Sequence, residues 1–341
     1  MRVNKETKET NRQGAEGAEK EELMSQISGQ NSSSQYGWVE QLGGWLYAFW
    51  KFSRPHTIVG TSLSVLGLYL MALAIYDPGS STQSRQLLGS WLACLCGNVY
   101  IVGLNQLEDV AIDRINKPHL PLAAGEFSLR TGRLIVGITG SLALLLAWLL
   151  GPFLLGMVGL SLAIGTVYSL PPIRLKRFPF WAALCIFTVR GAIVNLGLFL
   201  HFSWVLQRNQ TIPSSVWALT LFVVVFTFAI AIFKDVPDLE GDRQYHITTL
   251  TIQLGQQTVF NIARWVLTVC YLSMIIAGVL WLPSVNQVFL VITHLVALSL
   301  MWYWSLYVDL QDKSAITSFY QFIWKLFFFE YLIFPAACLL A

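Results

Sequence analysis

The chain has 341 residues, of which 55% are hydrophobic and only 12% are charged, and its net charge at pH 7 is +3. A soluble domain is about one-quarter charged, so this composition excludes an ordinary soluble protein, and the small, dispersed positive charge excludes a nucleic-acid-binding surface. Most of the charges lie in the first 54 residues and in short windows between long apolar runs, which is typical of a protein that crosses a membrane several times.

The N-terminal segment differs in composition from the rest of the chain. Residues 1–45 are rich in Glu, Lys, Gln, Asn, Ser and Gly and show no apolar periodicity before Trp45. Such a segment cannot bury enough apolar surface to fold, so we predict a disordered cytoplasmic tail over 1–45 and a membrane domain over 46–341. The tail lacks the apolar stretch of a secretory signal, and the six glutamates of its first 22 residues argue against an organelle transit peptide, which favours a bacterial chain.

Nine apolar stretches of about 18 to 23 residues follow, and each is long enough to cross a hydrocarbon core of roughly 30 Å as a helix. We place them at 55–76, 87–107, 132–150, 153–170, 180–202, 214–234, 260–281, 285–307 and 319–340. Turn-forming pairs such as Gly151-Pro152 and Pro171-Pro172 separate several of them. The predicted fold is therefore all-α: nine transmembrane helices in a bundle around a central cavity.

Lys and Arg are distributed unevenly between the loops of this bundle. The loops after even-numbered spans, with the adjacent helix ends, hold eleven of them, whereas the loops after odd-numbered spans hold only Arg85 and Arg208. By the positive-inside rule, the N-terminus and the even loops are cytoplasmic. Both a bacterial plasma membrane and a thylakoid membrane are compatible with this orientation.

Two short windows concentrate seven of the nineteen acidic residues, and each window ends an apolar span. Their polar side chains are Asn105, Asp109, Asp113, Asp235, Asp238 and Asp242. The first three recur every four residues and the last three follow i, i+3, i+7, so each set would line one face of a helix, although Pro237 could distort the second. The windows lie four spans apart, an even number of crossings, so both open on the cytoplasmic face and could face each other.

Carboxylates gathered at membrane depth repel one another and are costly to keep ionised, and a bound divalent cation would offset both effects. Oxygen ligands without Cys or His favour Mg²⁺, which is usually held by one or two carboxylates together with substrate phosphates. We therefore predict Mg²⁺ as the cofactor, bound through a diphosphate by Asp109, Asp113, Asp235, Asp238 and Asp242. For either motif taken alone, a solvated loop cap is the competing interpretation.

Several cations accompany the acidic windows. Arg174 and Lys176, in the loop after the fourth span, would either hold diphosphate oxygens or simply follow the positive-inside rule, and the same alternatives apply to Arg54. Arg190 differs because it lies near the middle of the fifth span, where membrane topology gives no reason for a charge. We predict a functional role for it, with a structural pairing to Glu330 or to a backbone carbonyl as the alternative.

The paired motifs on nine apolar spans resemble the UbiA-type membrane prenyltransferases. Within that family, five strings are similar to the cyanobacterial branch that uses homogentisate as acceptor: 53–57, 103–123, 168–176, 234–243 and 319–328. The resemblance covers roughly residues 48 to 341. One position departs from the family, because many members carry Arg where this chain has Leu120, which makes the role of Lys117 as a diphosphate ligand less secure.

The resemblance implies Mg²⁺-dependent transfer of a phytyl group from phytyl diphosphate to homogentisate, with loss of CO₂, in tocopherol biosynthesis. We predict six catalytic residues: Asp109, Asp113, Asp235, Asp242, Tyr168 and Arg190. We predict eight substrate-binding residues: Asn105, Arg54, Lys117, Arg174, Lys176, Lys234, Asp238 and Arg243. Arg190 would hold either the carboxylate of homogentisate or the innermost diphosphate oxygen.

Other functions remain open at this point. The same chemistry could use a solanesyl donor, or chlorophyllide, 4-hydroxybenzoate or dihydroxynaphthoate as acceptor. A cation transporter would instead carry polar or broken helices near the midplane, whereas here the acidic residues lie at the cytoplasmic ends and only Arg190 is deep. The placement of the charges therefore favours an enzyme that is open to a diphosphate from the cytosol and to a lipid-phase tail.

Overall fold

The computed structural model describes residues 38, 40–76, 83–207, 211–244 and 249–341. The chain divides into two units, 1–50 and 51–341. In the first unit, residues 40–50 are helical, so the last six residues of the segment predicted as a tail have helical structure. The remainder of the predicted tail, 1–37 and 39, lies outside the described residues.

Nine helices of the described chain are long and apolar enough to cross a membrane, and no strand occurs among the described residues. We name them α1 to α9 in chain order: Pro55–Tyr76, Ser84–Glu108, Leu129–Leu150, Pro152–Ser169, Pro179–Leu206, Ser214–Phe233, Gln256–Leu280, Gln287–Ser305 and Lys313–Leu339. The predicted all-α membrane fold with nine spans is confirmed. The largest error in a boundary concerns α9, which begins at Lys313 instead of 319.

The junction between α3 and α4 explains how two spans follow each other without a loop. Gly151 adopts a φ of 147°, and Pro152 then opens α4 at a position where its missing N–H costs nothing. A Cβ atom at Gly151 would lie only 2.6 Å from the ring of Trp204, so the close approach of α5 also requires glycine here.

The fifth span is not a regular α-helix. It is α-helical over Pro179–Phe187, π-helical over Thr188–Ile193 and α-helical again from Val194. Single π-helical turns inside α-helices are rare, and those that occur are often found at functional sites. This turn carries Arg190, the charge that the sequence places deep in the membrane.

The spans differ in how far they are buried. In α6, 67% of the apolar window is buried against other helices, whereas in α3 the fraction is 22%, so α6 is central and α3 peripheral. Aromatic rings such as Phe226 and Phe327, with centroids 5.7 Å apart, fill the space between α6 and α9. Large exposed side chains such as Trp148 and Leu149 lie on the outer face of α3, as expected for a surface in contact with lipid. The chain is an integral membrane protein.

Candidate active site

The first acidic motif lies where one span ends and a short helix begins. α2 ends at Glu108, and a helix over Val110–Asn116 follows Asp109, whose backbone is not helical (φ −112°, ψ 14°). The Asp109 N–H bonds to the carbonyl three residues earlier at 3.4 Å, which tightens and ends α2. The predicted continuous face over Asn105, Asp109 and Asp113 is therefore wrong. Asp113 instead lies on the short helix, where it is almost fully buried.

Two cations from the loop between α4 and α5 hold this motif. Arg174 donates from Nη2 to Oδ1 of Asp109 at 3.0 Å and to the carbonyl of Glu108 at 3.3 Å. Lys176 Nζ lies 2.7 Å from the other carboxylate oxygen of Asp109 and 3.2 Å from Oδ1 of Asn105. The structure thus brings both predicted cations to the first motif, where charge-assisted bonds orient the carboxylate.

The second acidic motif follows the end of α6. Residues 234–238 form turns after Phe233, and a short helix then covers Leu239–Gln244. Pro237 explains the break, because it has no N–H to continue the helix and its ring clashes with the carbonyl four residues earlier, that of Phe233. The predicted single helical face is wrong here too: the first two aspartates of the motif lie in the turns and the third lies on the short helix.

The two motifs meet through their flanking residues. The ammonium of Lys117, directly after the first short helix, pairs with the carboxylate of Asp238. Asn116 donates from Nδ2 to Oδ1 of Asp242 at 3.3 Å. The expectation that the motifs face each other is confirmed. Asn116 was not predicted, although its position three residues after Asp113 continues the same helical face by one turn.

Two carboxylates of the acidic cluster, Asp113 and Asp242, form no ion pair with any described residue. Burial raises the pKa of Asp113 to about 6, although Arg54 and Lys117 act in the opposite direction. Burial also raises the pKa of Asp242 to about 7, and the neighbouring Asp235 adds to that effect. Oδ2 of Asp113 is buried and has no hydrogen-bond partner among the described residues. Both carboxyl groups would therefore gain from a further cation.

These residues fit a magnesium ion that is shared with a ligand. No group of three or more His, Cys, Asp or Glu side chains converges on one point within the described chain. A closed metal site built by protein ligands alone is thus not formed by those residues. Mg²⁺, however, usually takes one or two carboxylates and completes its shell with phosphate oxygens and water. The oxygen-only cluster, with the unpartnered Oδ2 of Asp113, meets that description.

Lys234 and Tyr168 lie beside the second motif. Lys234 Nζ is 3.1 Å from Oδ1 of Asp235. Burial works against the charged form of Lys234, but Asp235 and Tyr168 next to it raise its pKa well above the usual range. Tyr168 belongs to the last turn of α4, so the structure places this predicted pocket residue at the same end of the bundle.

Two arginines near the cluster adopt a left-handed backbone. Arg54, directly before α1, has a φ of 53°, and Arg174 has a φ of 43°. Residues other than glycine rarely occupy this region, which costs about 1–3 kcal/mol and is typical of functional sites. Nε of Arg54 is buried without a hydrogen-bond partner among the described residues, so this guanidinium retains capacity to bind an anion.

Arg190 lies apart from this network, inside the bundle. Its guanidinium carbon is 5.1 Å from the ring centroid of Trp324 and 5.8 Å from that of Phe327. The structural pairing with Glu330 that the sequence suggested does not form, because Glu330 Oε2 lies 3.3 Å from Nε2 of His294 instead.

Two charged residues of the second motif point away from the cluster. Arg243, predicted to bind substrate, is exposed on the short helix and forms no ion pair with the motif carboxylates among the residues described. Glu240 is exposed as well. The site therefore consists of the buried and half-buried motif residues with the cations of two loops.

Relatives of known activity match nearly the whole membrane domain. The family model for the UbiA prenyltransferase family matches residues 64–326. The chain is 58% identical to the homogentisate phytyltransferase of Synechocystis sp. over 296 residues, which is 86% of this chain and 96% of that protein. It is 40% identical to homogentisate phytyltransferase 1 of Arabidopsis thaliana over 294 residues, which is 85% of this chain and 75% of that protein.

Solved structures share the fold. A UbiA homolog from Archaeoglobus fulgidus bound to GPP and Mg²⁺ superposes with a TM-score of 0.59 at 17% identity, covering 85% of this chain and 99% of the other. At that identity the likeness concerns the fold alone. With the family match over more than half of the chain and two paired acidic motifs at one end of nine spans, the chain belongs to the UbiA prenyltransferase family.

Proposed function

We propose that this chain transfers a phytyl group from phytyl diphosphate to homogentisate, with loss of CO₂. The observation that carries the proposal is the meeting of the two acidic motifs through Lys117–Asp238 and Asn116–Asp242. Oxygen ligands and cations of both motifs then lie together at one end of a membrane bundle, which suits a charged diphosphate with an apolar tail. The identity to homogentisate phytyltransferases supports the choice of substrates.

The aspartates of the two motifs would hold Mg²⁺ together with the diphosphate. The bound metal would neutralise the negative charge that develops on the leaving diphosphate. In the structure, Asp109 and Asp238 already have cationic partners in Arg174, Lys176 and Lys117. These cations would exchange a carboxylate for phosphate oxygens when the substrate binds, and would then stabilise the same leaving group.

The acceptor reacts at a ring carbon. Departure of the diphosphate leaves an allylic cation on the phytyl chain, and the electron-rich ring of homogentisate attacks its terminal carbon. The ring loses the proton of the attacked carbon and regains aromaticity. The carboxyl group leaves as CO₂, and the methylene carbon that carried it takes up a proton, which gives a methyl-phytyl quinol. The protein's part in this step is to exclude water from the cation and to hold the ring against it.

The distribution of charge supports an active site on the cytoplasmic side of the membrane. Both motifs and Lys117, Arg174 and Lys176 belong to the loops that carry most of the Lys and Arg residues. We propose this orientation for either a plasma or a thylakoid membrane. Protease protection of tags placed at the two termini in sealed vesicles tests it, because an odd number of spans puts the termini on opposite sides.

An assay of purified protein with paired donors and acceptors tests the reaction. Phytyl, geranylgeranyl and solanesyl diphosphates are each combined with homogentisate, 4-hydroxybenzoate, dihydroxynaphthoate or chlorophyllide, and products are identified by mass. We expect the highest kcat/KM for phytyl diphosphate with homogentisate, with release of one CO₂ per product. A higher kcat/KM for any other pair would replace the proposed substrates, and the absence of product from every pair would reject a prenyl transfer to these acceptors.

A further inference from the structure

Arg190 is a membrane-embedded cation without an anionic partner among the described residues. The ion pairs formed between described residues do not include it. Its neighbours Trp324 and Phe327 are almost fully buried, whereas Arg190 is only partly buried, so part of this residue is left accessible. Aromatic rings attract a cation but do not neutralise it. An anionic ligand would therefore stabilise the guanidinium at this depth, and the described residues do not supply one.

Arg190 lies deeper in the bundle than the acidic cluster. A Cβ atom on Gly60 would be 3.2 Å from Nη1 of Arg190, so the guanidinium packs against α1 six residues after Arg54. Six residues of helix correspond to about 9 Å along the axis. Trp324 connects the two levels, because its ring contacts the guanidinium of Arg190 at 5.1 Å and the ring of His56 at 5.0 Å.

The backbone around Arg190 is fixed by contacts on both sides. Asn195, which is fully buried, donates from Nδ2 to the carbonyl of Gly191 at 2.6 Å within the π-helical turn. The hydroxyl of Tyr331 donates to Oδ1 of Asn195 at 2.8 Å and so ties this turn to α9. A Cβ on Gly191 would lie 2.8 Å from Cα of Val224, so α5 and α6 touch at this level. The guanidinium is therefore presented from a rigid support, as a ligand-binding side chain requires.

We propose that Arg190 binds the carboxylate of the aromatic acceptor, so that the acceptor ring lies between Arg190 and the diphosphate site, beside Trp324. This inference rests on the proposed function. The two substrates bring two anionic groups, a diphosphate and a carboxylate, and the phytyl tail brings none. The cations of the two loops and Arg54 already lie at the acidic motifs, so the deeper cation is left for the carboxylate. The planar guanidinium also matches a carboxylate with two parallel hydrogen bonds.

The proposed contact belongs to the bound ground state. It stabilises the carboxylate of the intact acceptor, and that charge is lost when the carboxyl group leaves as CO₂. An interaction of this kind lowers KM for the acceptor without raising kcat. A diphosphate contact would behave differently, because it would strengthen while negative charge develops on the leaving group, and its loss would lower kcat.

Kinetics of Arg190→Gln and Arg190→Lys test the proposal. We expect Arg190→Gln to raise KM for homogentisate about tenfold or more, as loss of a charge-assisted contact implies, and to change KM for phytyl diphosphate by less than about twofold. Arg190→Lys should recover part of the loss, because it keeps the charge without the planar fork. A rise in KM for phytyl diphosphate, or a lower kcat at saturating homogentisate, would overturn the assignment in favour of the diphosphate. Unchanged parameters would overturn it as well.

Arg264→Gln is the matched control. Arg264 also lies over two rings, Phe260 at 4.9 Å and Trp302 at 4.8 Å, but these rings belong to α7 and α8, whereas the rings beside Arg190 belong to α9. We expect this variant to keep both KM values. The melting temperature of each variant in detergent separates a folding defect from a binding defect, and Arg190→Lys keeps the test valid if Arg190→Gln unfolds.

A binding measurement provides a readout without turnover. Calorimetry compares homogentisate with its uncharged methyl ester, which has the same ring. We expect the wild-type protein to prefer the acid by about tenfold or more and Arg190→Gln to lose the preference. An equal preference in both proteins would overturn the Arg190 assignment while leaving the proposed reaction intact. If the wild type transfers phytyl to a different aromatic acid, the proposed function fails, and the same acid–ester comparison with that acceptor decides the role of Arg190.

Discussion

Lys117 and Asp238 form an ion pair across 121 residues of sequence, and this pair joins the two acidic motifs. Four spans separate the motifs along the chain, so the contact depends on the whole bundle. Asp238 is at the same time one of the carboxylates assigned to the metal and diphosphate. We propose that Lys117 exchanges this carboxylate for a phosphate oxygen when the diphosphate binds.

Replacing Lys117 by Met separates these two roles. The side chains of the pair are 31% and 19% exposed, and a partly exposed pair contributes only about 1 kcal/mol or less to stability. A charge-assisted bond to the diphosphate is worth about 1.5–3 kcal/mol. We therefore expect a small change in melting temperature and a rise of about tenfold or more in KM for phytyl diphosphate. An unchanged KM would show that Lys117 only joins the motifs.

The motif aspartates should be essential for turnover. Asp109→Ala, Asp113→Ala, Asp235→Ala and Asp242→Ala each remove a carboxylate assigned to Mg²⁺ and diphosphate. Stabilising a leaving group through a metal is worth several kcal/mol, so we expect each variant to lose at least about a hundredfold in kcat/KM. EDTA should abolish the activity of the wild type, and added Mg²⁺ should restore it.

Glu240→Gln is the control for these variants. Glu240 belongs to the same short helix as Asp242, but it is exposed whereas Asp242 is buried. We expect Glu240→Gln to stay within about twofold of the wild type, because surface substitutions away from such sites have small effects. Near wild-type activity of Asp109→Ala would reject the metal assignment.

The spans could be predicted from the sequence because length and hydropathy alone determine which segments cross a bilayer. The interior of α5 could not, since the contacts around its π-helical turn include the bond between Tyr331 and Asn195, which lie 136 residues apart. Of the two helix breaks, at Asp109 and at Pro237, only the second could be predicted from the sequence. Proline breaks a helix because it lacks an N–H and its ring clashes with the preceding turn, whereas no feature of the sequence indicates the non-helical backbone of Asp109.

The residues that form the site could be predicted better than the ion pairs between them. Clustered carboxylates and cations can be recognised in the sequence because burying a charge in a membrane is costly. The structure brings most of these residues together. Which charges pair depends on how distant spans are oriented around their axes. The sequence therefore suggested Glu330 as a partner for Arg190, while the structure pairs Glu330 with His294, a residue that carried no motif.

The affinity of the site for Mg²⁺ should depend on pH. Asp113 has a pKa of about 6 and Asp242 of about 7, and both must lose a proton to bind a metal. Both are ionised at pH 8, whereas at pH 6 about half of Asp113 and most of Asp242 is protonated. If both carboxylates bind the metal, the apparent Kd for Mg²⁺ should rise about twentyfold from pH 8 to pH 6. Mn²⁺ binding followed by electron paramagnetic resonance measures the change, and a constant Kd would contradict the assignment.

The same pKa values predict the pH dependence of stability without metal. The folded-state pKa of each carboxyl lies above the value of about 4 in an unfolded chain, so the native state binds more protons in this window. The metal-free protein should therefore lose stability through these groups as the pH rises from about 4 to 7. Binding of Mg²⁺ together with a diphosphate should restore this lost stability at pH 8. Melting curves at pH 5 and 8, with Asp242→Asn as the control that removes one titrating group, measure the effect.

Glu330 and His294 should matter for stability and not for substrate binding. The two side chains are 1% and 0% exposed, and they connect α9 with α8. His294 Nδ1 lies 2.8 Å from the carbonyl of Leu290, which can only accept a hydrogen bond, so Nδ1 carries a proton and Nε2 faces the carboxyl of Glu330 at 3.3 Å. Removing one member of a buried pair typically costs about 3–5 kcal/mol, because the other loses its partner without regaining water.

Two substitutions at Glu330 distinguish a structural from a catalytic role. Glu330→Ala should lower the melting temperature strongly, while the fraction that stays folded keeps the wild-type KM for both substrates. Glu330→Gln should be much milder, because its amide group can still donate to Nε2 of His294 at nearly the same volume. Melting temperature in detergent and KM at a temperature well below it are the two measurements. A raised KM for homogentisate in folded Glu330→Gln would contradict this account, since it would couple Glu330 to the space beside Arg190 instead of to His294 alone.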